Sequence, residues 1–496
     1  MATTTEQTEG VTLKLLVNKD TNKVLFAEAG KDFVDALFSF LTLPLGTIAR
    51  LVEKKSSMGP VSVGCLNKLY GSLKEFDKEY IKMEAMKEML LQPTNSSESY
   101  CSTLKLNIDD TKPTKHFLCT NHKNCPSSNY LYISRNKKCS CLDYYIRSVS
   151  LKNPCNGFVN DGTSFVITND LVVMPNSVQF TSLGLLQNLD INGVSSVKEW
   201  IVNVTKDKVL DMLKCSLLSN TTLTDLFLRK KPSLKKYKFF SCKVENKCNI
   251  QINVKLVIRK SDGKVVYAQG EQDFADFLLS FLSLPLGGVM RILRGNCSIG
   301  NIDSLYKSIV DLDETKYFIS KETKNRLVDS RLSPQFKLSK QILPIDNPRS
   351  GYYCFFKGES YEKSISVYDF NAFITDAYSS HWGKYKWLNA ESSKGNNEGY
   401  VKGPRAYMAT DDLVLTPWYP ISALQLITHL QIPLSDLKEI HVTFGVKECL
   451  SILKASLIST SALTNGLSHL LLKFKEETDR KNLKLEVKEE PNKKVK

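Results

Sequence analysis

One pattern of hydrophobic and polar residues occurs twice in the chain and organises the rest of it. Residues 32–46 read DFVDALFSFLTLPLG and residues 273–287 read DFADFLLSFLSLPLG, and 287 minus 46 gives an offset of 241 positions. Apolar residues such as Phe33, Leu37 and Phe40 recur at intervals of four and three, which is typical of the buried stripe of an amphipathic helix. The chain is therefore predicted to contain a tandem duplication.

Each copy ends in a Leu-Pro-Leu-Gly sequence, which we call the elbow. The residue before a proline resists the helical conformation, so Pro44 and Pro285 are predicted to end the two helices. Gly46 and Gly287 then allow a sharp turn into a second helix. A helix start can bind an anion, but the elbow lacks the glycines and lysine of a phosphate-binding loop. We interpret it as a packing corner.

The residues before each helix predict a β-hairpin. Leu13, Leu15 and Val17 alternate with other residues, as expected for a strand with one buried face. In the second copy Asp262-Gly263 separates two such runs, and Asp-Gly is among the strongest hairpin signals. Asn22 falls where the other copy has Gly263, and both residue types tolerate the left-handed conformation of a tight turn.

A second matched segment follows in each copy. Residues 164–175 match residues 406–417, at an offset of 242, and each predicts a short hairpin that ends in proline. Helices are expected next at 178–188 and 421–430, each followed by a strand and a further helix.

These elements predict an α+β fold of two tandem, similar halves, each made of short antiparallel hairpins packed with amphipathic helices. A chain of 496 residues is long enough for more than one core. The predicted segments are a disordered N-terminus (1–10), a first half (11–228) with a cysteine-rich insert (115–162), a basic linker (229–250), a second half (251–472) and a charged, disordered tail (473–496).

The composition also predicts where in the cell the protein is located. No run approaches the roughly 18 apolar residues of a membrane span, and residues 1–10 lack the apolar segment of a secretory signal. The thirteen cysteines are then expected to be reduced thiols in an intracellular protein, cytoplasmic or nuclear. The net charge of +15 permits attraction to nucleic acid without requiring it.

The insert contains the candidate metal site. A tetrahedral zinc site uses four thiolate or imidazole ligands, often as two close pairs separated by a loop. One structural zinc is therefore predicted, and the alternative is a loop of reduced, unliganded cysteines. The second half keeps a single cysteine, Cys354, in its equivalent stretch, which favours a structural role over a duplicated active centre. The predicted ligands are Cys119, Cys125, Cys139 and Cys141, with His116, His122 and Cys155 nearby.

Two other features have competing interpretations. Asp35 and Asp276 occupy matched positions on the repeated helix, either as a pair of carboxylates across a pseudo-twofold axis or as solvated or capping residues. The basic run from Arg229 to Lys238 is either a nucleic-acid contact or a solvated connector between the halves.

Three functions stay open at this point. The chain lacks the serine-hydrolase, zinc-protease, kinase and dinucleotide-binding motifs, which favours a non-enzymatic interaction or scaffold protein with a protein partner. The alternatives are a nucleic-acid-associated protein and an enzyme of unrecognised type with a site between the halves. A deep polar cleft with buried carboxylates or histidines would support an enzyme.

These residues resemble the plant family known only as domain of unknown function 674. The resemblance rests on the matched stretches ending at Gly46 and Gly287 and on the Thr-Asn-Asp-Leu and Thr-Asp-Asp-Leu hairpins, and it covers about Val11 to Leu472. It implies a plant source and an intracellular protein, but it supplies no catalytic residues. It also implies cysteine pairs in residues 119–141, where this chain has a one-residue gap in Cys-Ser-Cys.

Overall fold

The structure is a computed structural model with an α+β fold, as predicted. It describes residues 10–119, 130–131, 147–152, 156–176, 196–232, 250–345, 351–356, 372–375, 385–390 and 399–475.

Each half contributes a five-stranded antiparallel sheet, and the two sheets have the same strand order. From edge to edge the first contains β7 (Val173–Pro175), β6 (Ser164–Thr168), β2 (Lys23–Gly30), β1 (Val11–Asn18) and β8 (Val197–Val204). The second contains β15 (Leu415–Pro417), β14 (Tyr407–Thr410), β10 (Val265–Gly270), β9 (Ile252–Arg259) and β16 (Leu437–Phe444). The prediction of two similar halves is confirmed.

The predicted hairpins are present in both sheets. Strand β1 pairs with β2 and β9 pairs with β10, both antiparallel. Their turns place Asn22 at φ 47° and Gly263 at φ 71°, the left-handed conformation expected at these two positions. The later hairpins β6–β7 and β14–β15 are also formed.

The helices of the first half are α1 (Lys31–Ser39), α2 (Leu45–Val52), α3 (Leu66–Glu75), α4 (Glu84–Leu91), α5 (Glu98–Cys101), α6 (Lys206–Leu218) and α7 (Thr222–Thr224). Those of the second half are α8 (Gln272–Ser280), α9 (Leu286–Ile292), α10 (Ile302–Asp311), α11 (Glu314–Tyr317), α12 (Lys321–Val328), α13 (Pro420–His429), α14 (Val446–Ile458) and α15 (Ala462–Gly466). Short 3-10 turns lie at Phe40–Thr42, Lys78–Tyr80, Phe281–Ser283, Pro334–Phe336 and Leu434–Asp436, and a π-turn lies at Asp225–Arg229.

Two helix predictions can be compared with these bounds. The helix expected at 421–430 is found as α13, whereas the one expected at 178–188 lies outside the described residues. None of the described helices has the length and apolar character needed to cross a bilayer.

The two elbows pair with each other. The backbone N–H of Leu45 donates to the carbonyl of Leu284 at 2.9 Å, and the N–H of Leu286 donates to the carbonyl of Leu43 at 3.0 Å. Pro44 and Pro285 form the antiparallel bridge between these bonds. Matched residues thus contact each other reciprocally, as across a twofold axis. The interpretation of the elbow as a packing corner is confirmed.

Beyond the elbows each half reaches into the other. The N–H of Cys65, at the start of α3, donates to the carbonyl of Ser456 in α14, and the N–H of Asn301, before α10, donates to the carbonyl of Ser216 in α6, both at 2.8 Å. Helix α10 also packs against β7, where Ser308 Oγ accepts the N–H of Val173 at 3.0 Å.

One hydrophobic core therefore runs through both halves. The cluster of buried apolar residues that contains Leu37 also contains Leu278 and both elbows. Although the chain is long enough for more than one core, the halves do not bury separate cores in the described residues, because the helices after each elbow cover parts of the other half.

A third sheet joins the inserts of the two halves and was not predicted. Its strand order is β3 (His116–Leu118), β5 (Arg147–Leu151), β12 (Ala372–Thr375), β11 (Gly351–Phe356), β13 (Tyr385–Ala390) and β4 (Tyr130–Leu131). The junctions between halves, β5–β12 and β4–β13, are parallel. The strands of this sheet bury a separate small hydrophobic cluster, which contains Leu118, Leu131, Val149, Cys354 and Ile374.

Candidate functional site

The structure reaches only part of the predicted zinc site. Cys119 is buried directly after β3, and His116 at the start of β3 is also buried. The other predicted ligands and the other nearby candidates lie outside the described residues, namely Cys125, Cys139, Cys141, His122 and Cys155. Within the described ranges no group of three or more histidine, cysteine or carboxylate side chains is placed to hold a metal. The zinc site therefore stays a prediction.

Asp35 is a buried carboxylate that binds the backbone of the chain just after the insert. We call a buried aspartate that holds a loop in this way a latch. Its Oδ1 accepts the backbone N–H groups of Phe158 and Val159 at 2.8 and 3.0 Å. Its Oδ2 lies 2.9 Å from Nζ of Lys31, one turn earlier on α1. The side chain is only 1% exposed. The interpretation of this aspartate as solvated or capping is therefore wrong.

Asp276 forms the matching latch in the second half, where its Oδ1 accepts the N–H groups of Tyr400 and Val401 at 2.7 and 3.1 Å. Each carboxylate thus binds a loop of its own half. Each loop also pairs with the other half, through bridges between Val401 and Ile81 and between Val159 and Phe318. The two aspartates consequently help to hold the halves together.

Glycine is required beside each latch. Gly157 has φ +82° and Gly399 has φ +137°, conformations that side chains rarely adopt. A Cβ atom on Gly157 would lie 2.1 Å from Oδ2 of Asp35, and one on Gly399 would lie 1.9 Å from Oδ2 of Asp276. The backbone can approach the carboxylates this closely only because both residues lack a side chain.

The two latches differ in electrostatics. Burial raises the pKa of Asp35, and the ammonium of Lys31 opposes that effect. In the second half Gln272 holds the position of Lys31, because 272 minus 31 is again 241. Burial raises the pKa of Asp276 to about 7, and the backbone N–H groups and Gln272 only partly oppose it.

This difference predicts a pH dependence of stability. Unfolded Asp276 would lose its proton near pH 4, whereas the folded residue holds it until about pH 7. Between these values Asp276 binds more protons in the folded state than in the unfolded state. The contribution of Asp276 to the free energy of unfolding therefore falls as pH rises from about 4 to about 7. We expect Asp276→Asn to remove this decrease, as measured by urea denaturation at pH 4.5 and 7.5.

The control is Asp20→Asn, at an exposed turn of the first sheet. It should keep the pH dependence of the parent. A parental slope in Asp276→Asn would contradict the assignment, since other groups would then cause the decrease.

A small cleft of about 120 Å³ with a mixed polar and apolar lining lies between the halves. The segment 94–98 and residues Thr114 and His116 line it from the first half, and parts of the segment 322–335 line it from the second. Ser333 Oγ donates to the carbonyl of Thr94 at 2.9 Å, which joins the two walls. Elsewhere in the described residues the halves share one cluster of buried apolar side chains.

Charged side chains of both signs line the cleft. Glu98 accepts the N–H and the Oγ1 hydroxyl of Thr114 at 3.1 and 2.9 Å, and burial raises the pKa of this carboxyl group. Arg326 lies 3.2 Å from Glu322 and donates to the carbonyl of Ser96 at 3.1 Å.

Arg326 also stacks on an aromatic ring of the first half. Its guanidinium carbon lies 5.3 Å from the ring centroid of Tyr100, within the range of a cation–π contact. The arginine is therefore fixed at its site by contacts to both halves.

The ion pair in the cleft belongs to one half only. Lys87 donates to the carbonyl of Phe76, and Lys324 makes the matched bond to the carbonyl of Leu312. The two lysines set an offset of 237 (324 minus 87) in this region. By that offset Met89 corresponds to Arg326, and Ala85 corresponds to Glu322. The two halves therefore differ in charge at these two positions.

The fold and the cleft define a class of protein: an intertwined α+β chain of two similar halves with a polar site at their junction. The model of one protein family, described as a protein of unknown function (DUF674), matches residues 7–445. The chain belongs to this family, as the sequence predicted. No curated protein and no solved structure matches it.

Proposed function

We propose that the protein is a non-enzymatic binding protein and that the cleft between its halves holds a small polar ligand. The observation that carries this proposal is that segments of both halves line the cleft, whereas the ion pair between Glu322 and Arg326 is present in the second half only. A ligand bound there would contact both halves and would therefore add to the contacts that hold them together.

The charges of the lining indicate the chemistry of the ligand. Arg326 and Arg331 provide guanidinium groups, which bind carboxylates in a bidentate manner. Glu98 and Asp329 provide carboxylates that would accept an ammonium group. A small zwitterion such as a free amino acid satisfies both sets, and the modest volume of the cleft excludes larger cofactors.

The test is a thermal-shift and calorimetric screen of amino acids, betaine and small dicarboxylates against the full-length protein. We expect at least one zwitterion to bind. The double variant Glu322→Ala with Arg326→Met should lower its affinity about tenfold or more, the effect of losing a charge-assisted hydrogen bond. This variant places alanine and methionine where the first half has Ala85 and Met89. It removes both charges of the ion pair together, so neither charge stays buried without its partner.

The control is Lys321→Met on the same helix, whose side chain is 72% exposed and pairs with Glu314. It should bind like the parent. Failure of every zwitterion to bind, or unchanged affinity in the double variant, would refute the proposal. The screen also separates binding from catalysis, because a ligand that is chemically altered, and whose turnover stops in Glu98→Gln, would favour an enzyme.

We further propose that one zinc ion cross-links the insert through Cys119, Cys125, Cys139 and Cys141. The support is the pairing of thiols around a loop of thirteen residues between Cys125 and Cys139. Metal analysis of protein purified under reducing conditions should approach one zinc per chain, and the double variant Cys139→Ser with Cys141→Ser should lose it. A zinc content near zero in the parent would refute the proposed zinc site.

A further inference from the structure

The two halves give the same buried carboxylate different neighbours. Asp35 and Asp276 are matched, and so are Lys31 and Gln272 one helical turn before them. Nζ of Lys31 lies 2.9 Å from Oδ2 of Asp35, whereas Nε2 of Gln272 lies 3.3 Å from Oδ2 of Asp276. A neutral amide therefore lies where the first half has an ammonium group.

The first half shows how this kind of site holds an ammonium. Besides Asp35, Nζ of Lys31 donates to the carbonyl of Asn156 at 2.7 Å and to the carbonyl of Val159 at 2.5 Å. An ammonium has three N–H donors, and the carboxylate and the two carbonyls of the returning loop accept all three. The latch of the first half is thus a complete ammonium site whose ligand is a side chain of the same chain.

The second half has a cavity of about 420 Å³ in front of the matched carboxylate. Asp276 lines it and is 5% exposed, and Glu271 and Asp273 add two carboxylates to the lining. Lys340 is the basic residue of the described lining, and it counters the charge of Asp273. Among the described residues, the groups that most affect the pKa of Asp276 are backbone N–H groups, Gln272 and Asp273, and none of these is basic.

A buried carboxylate without a countercharge is costly, and that cost can drive the binding of a cation. Burial holds the pKa of Asp276 near 7, and the nearby Asp273 adds to the effect. Tyr400 and Tyr407 also face this carboxylate and are neutral at this pH. Above pH 7 the site therefore presents a negative charge to the cavity, with Asp273 on α8 and Glu271 just before α8 as acidic neighbours.

We propose that this cavity binds the ammonium group of a primary amine against Asp276, in the role that Lys31 has in the first half. The number of oxygen atoms that the site can still offer favours an amine over a metal ion. Calcium takes six to eight oxygen ligands, but the Asp276 oxygens already accept two backbone N–H groups and one amide. An amine would have to displace the amide of Gln272, whose Nε2 donates to Oδ2 of Asp276 at 3.3 Å. A free amine and a lysine side chain share this chemistry, and the site is independent of the cleft.

The experiment uses the full-length protein and isothermal titration calorimetry. n-Butylamine should bind at pH 8.5 and bind about thirtyfold more weakly at pH 5.5, where Asp276 is mostly protonated. Nα-acetyl-lysine amide should bind as well if the physiological source is a lysine side chain. Tetramethylammonium, which has the charge but no N–H donor, and calcium should not bind.

Gln272→Lys is the decisive variant, because it places the ammonium of the first half in the second. It should abolish butylamine binding and raise the melting temperature, whereas Asp276→Asn should abolish binding with no such gain. Asp20→Asn, at the surface, should bind like the parent. The proposal is overturned if butylamine does not bind at pH 8.5, if Gln272→Lys leaves its affinity unchanged, or if tetramethylammonium or calcium binds equally well.

Discussion

Replacing either Leu37 or Leu278 with aspartate is expected to unfold the whole chain rather than one half. These residues lie at the centres of the matched stripes on α1 and α8 and are 1% and 0% exposed. Burying an unpaired carboxylate costs several kcal/mol, a large part of the roughly 5–15 kcal/mol that stabilises a typical native protein. Because one core contains both residues, damage to either should reach both halves.

Circular dichroism and thermal denaturation provide the measurement. Each variant should lose cooperative melting, whereas Leu472→Asp, at a side chain that is 61% exposed, should melt like the parent. A variant that kept half of its ellipticity and a separate transition would show that the halves have independent cores. Two variants that melted like the parent would show that the helix stripe had been misread.

The sequence could predict those parts of the fold that local pattern and internal repetition decide. The stripe around Leu37, the stop at Pro44 and the turn at Asn22 all follow from short-range preferences, and each could be compared with a second copy. Agreement between two copies is stronger than either pattern alone, since both had to keep the same buried positions. The matching strand orders of the two sheets confirm this use of the repeat.

The exchange of helices could not be predicted, because a hydrophobic stripe shows which face is buried but not what covers it. Leu66 and Leu69 on α3 have the same pattern whether they pack on their own sheet or on the other half. The contact between Cys65 and Ser456 joins residues nearly 400 positions apart. The third sheet was missed for a related reason, since its strands are short and its junctions are parallel pairs between inserts.

The latches were misread because an aspartate early in a helix usually faces water and interacts with the helix dipole. A signal that could have found them was present in the sequence. Gly157-Phe158-Val159 matches Gly399-Tyr400-Val401 at the same offset of 242 as the neighbouring hairpins. A glycine kept at the same place in both copies indicates that the backbone there approaches another group closely, but it does not identify that group as Asp35 or Asp276. The cleft gave no such signal, because Arg326 and Glu322, which distinguish it, have uncharged counterparts in the other half.

Gly287→Ala at the second elbow is the other substitution for which we expect a large effect. An added Cβ would lie 2.1 Å from the carbonyl oxygen of Leu327 and 3.0 Å from that of Leu41. Both are backbone atoms, one in each half, so the clash cannot be relieved by a change of rotamer and would push the paired elbows apart. We expect a loss of about 3 kcal/mol in the free energy of unfolding, the upper end of ordinary overpacking.

Urea denaturation of three glycine variants tests this account of the elbows. Gly46→Ala meets its nearest backbone atom, the carbonyl oxygen of Leu282, at 2.9 Å, so it should cost less than Gly287→Ala. Gly71→Ala in α3 has open space around its Cβ and should gain about 0.5–1 kcal/mol from helix propensity. Equal midpoints for Gly287→Ala and Gly71→Ala would show that the elbows do not pack as described, because the two sites differ in what the new methyl group meets.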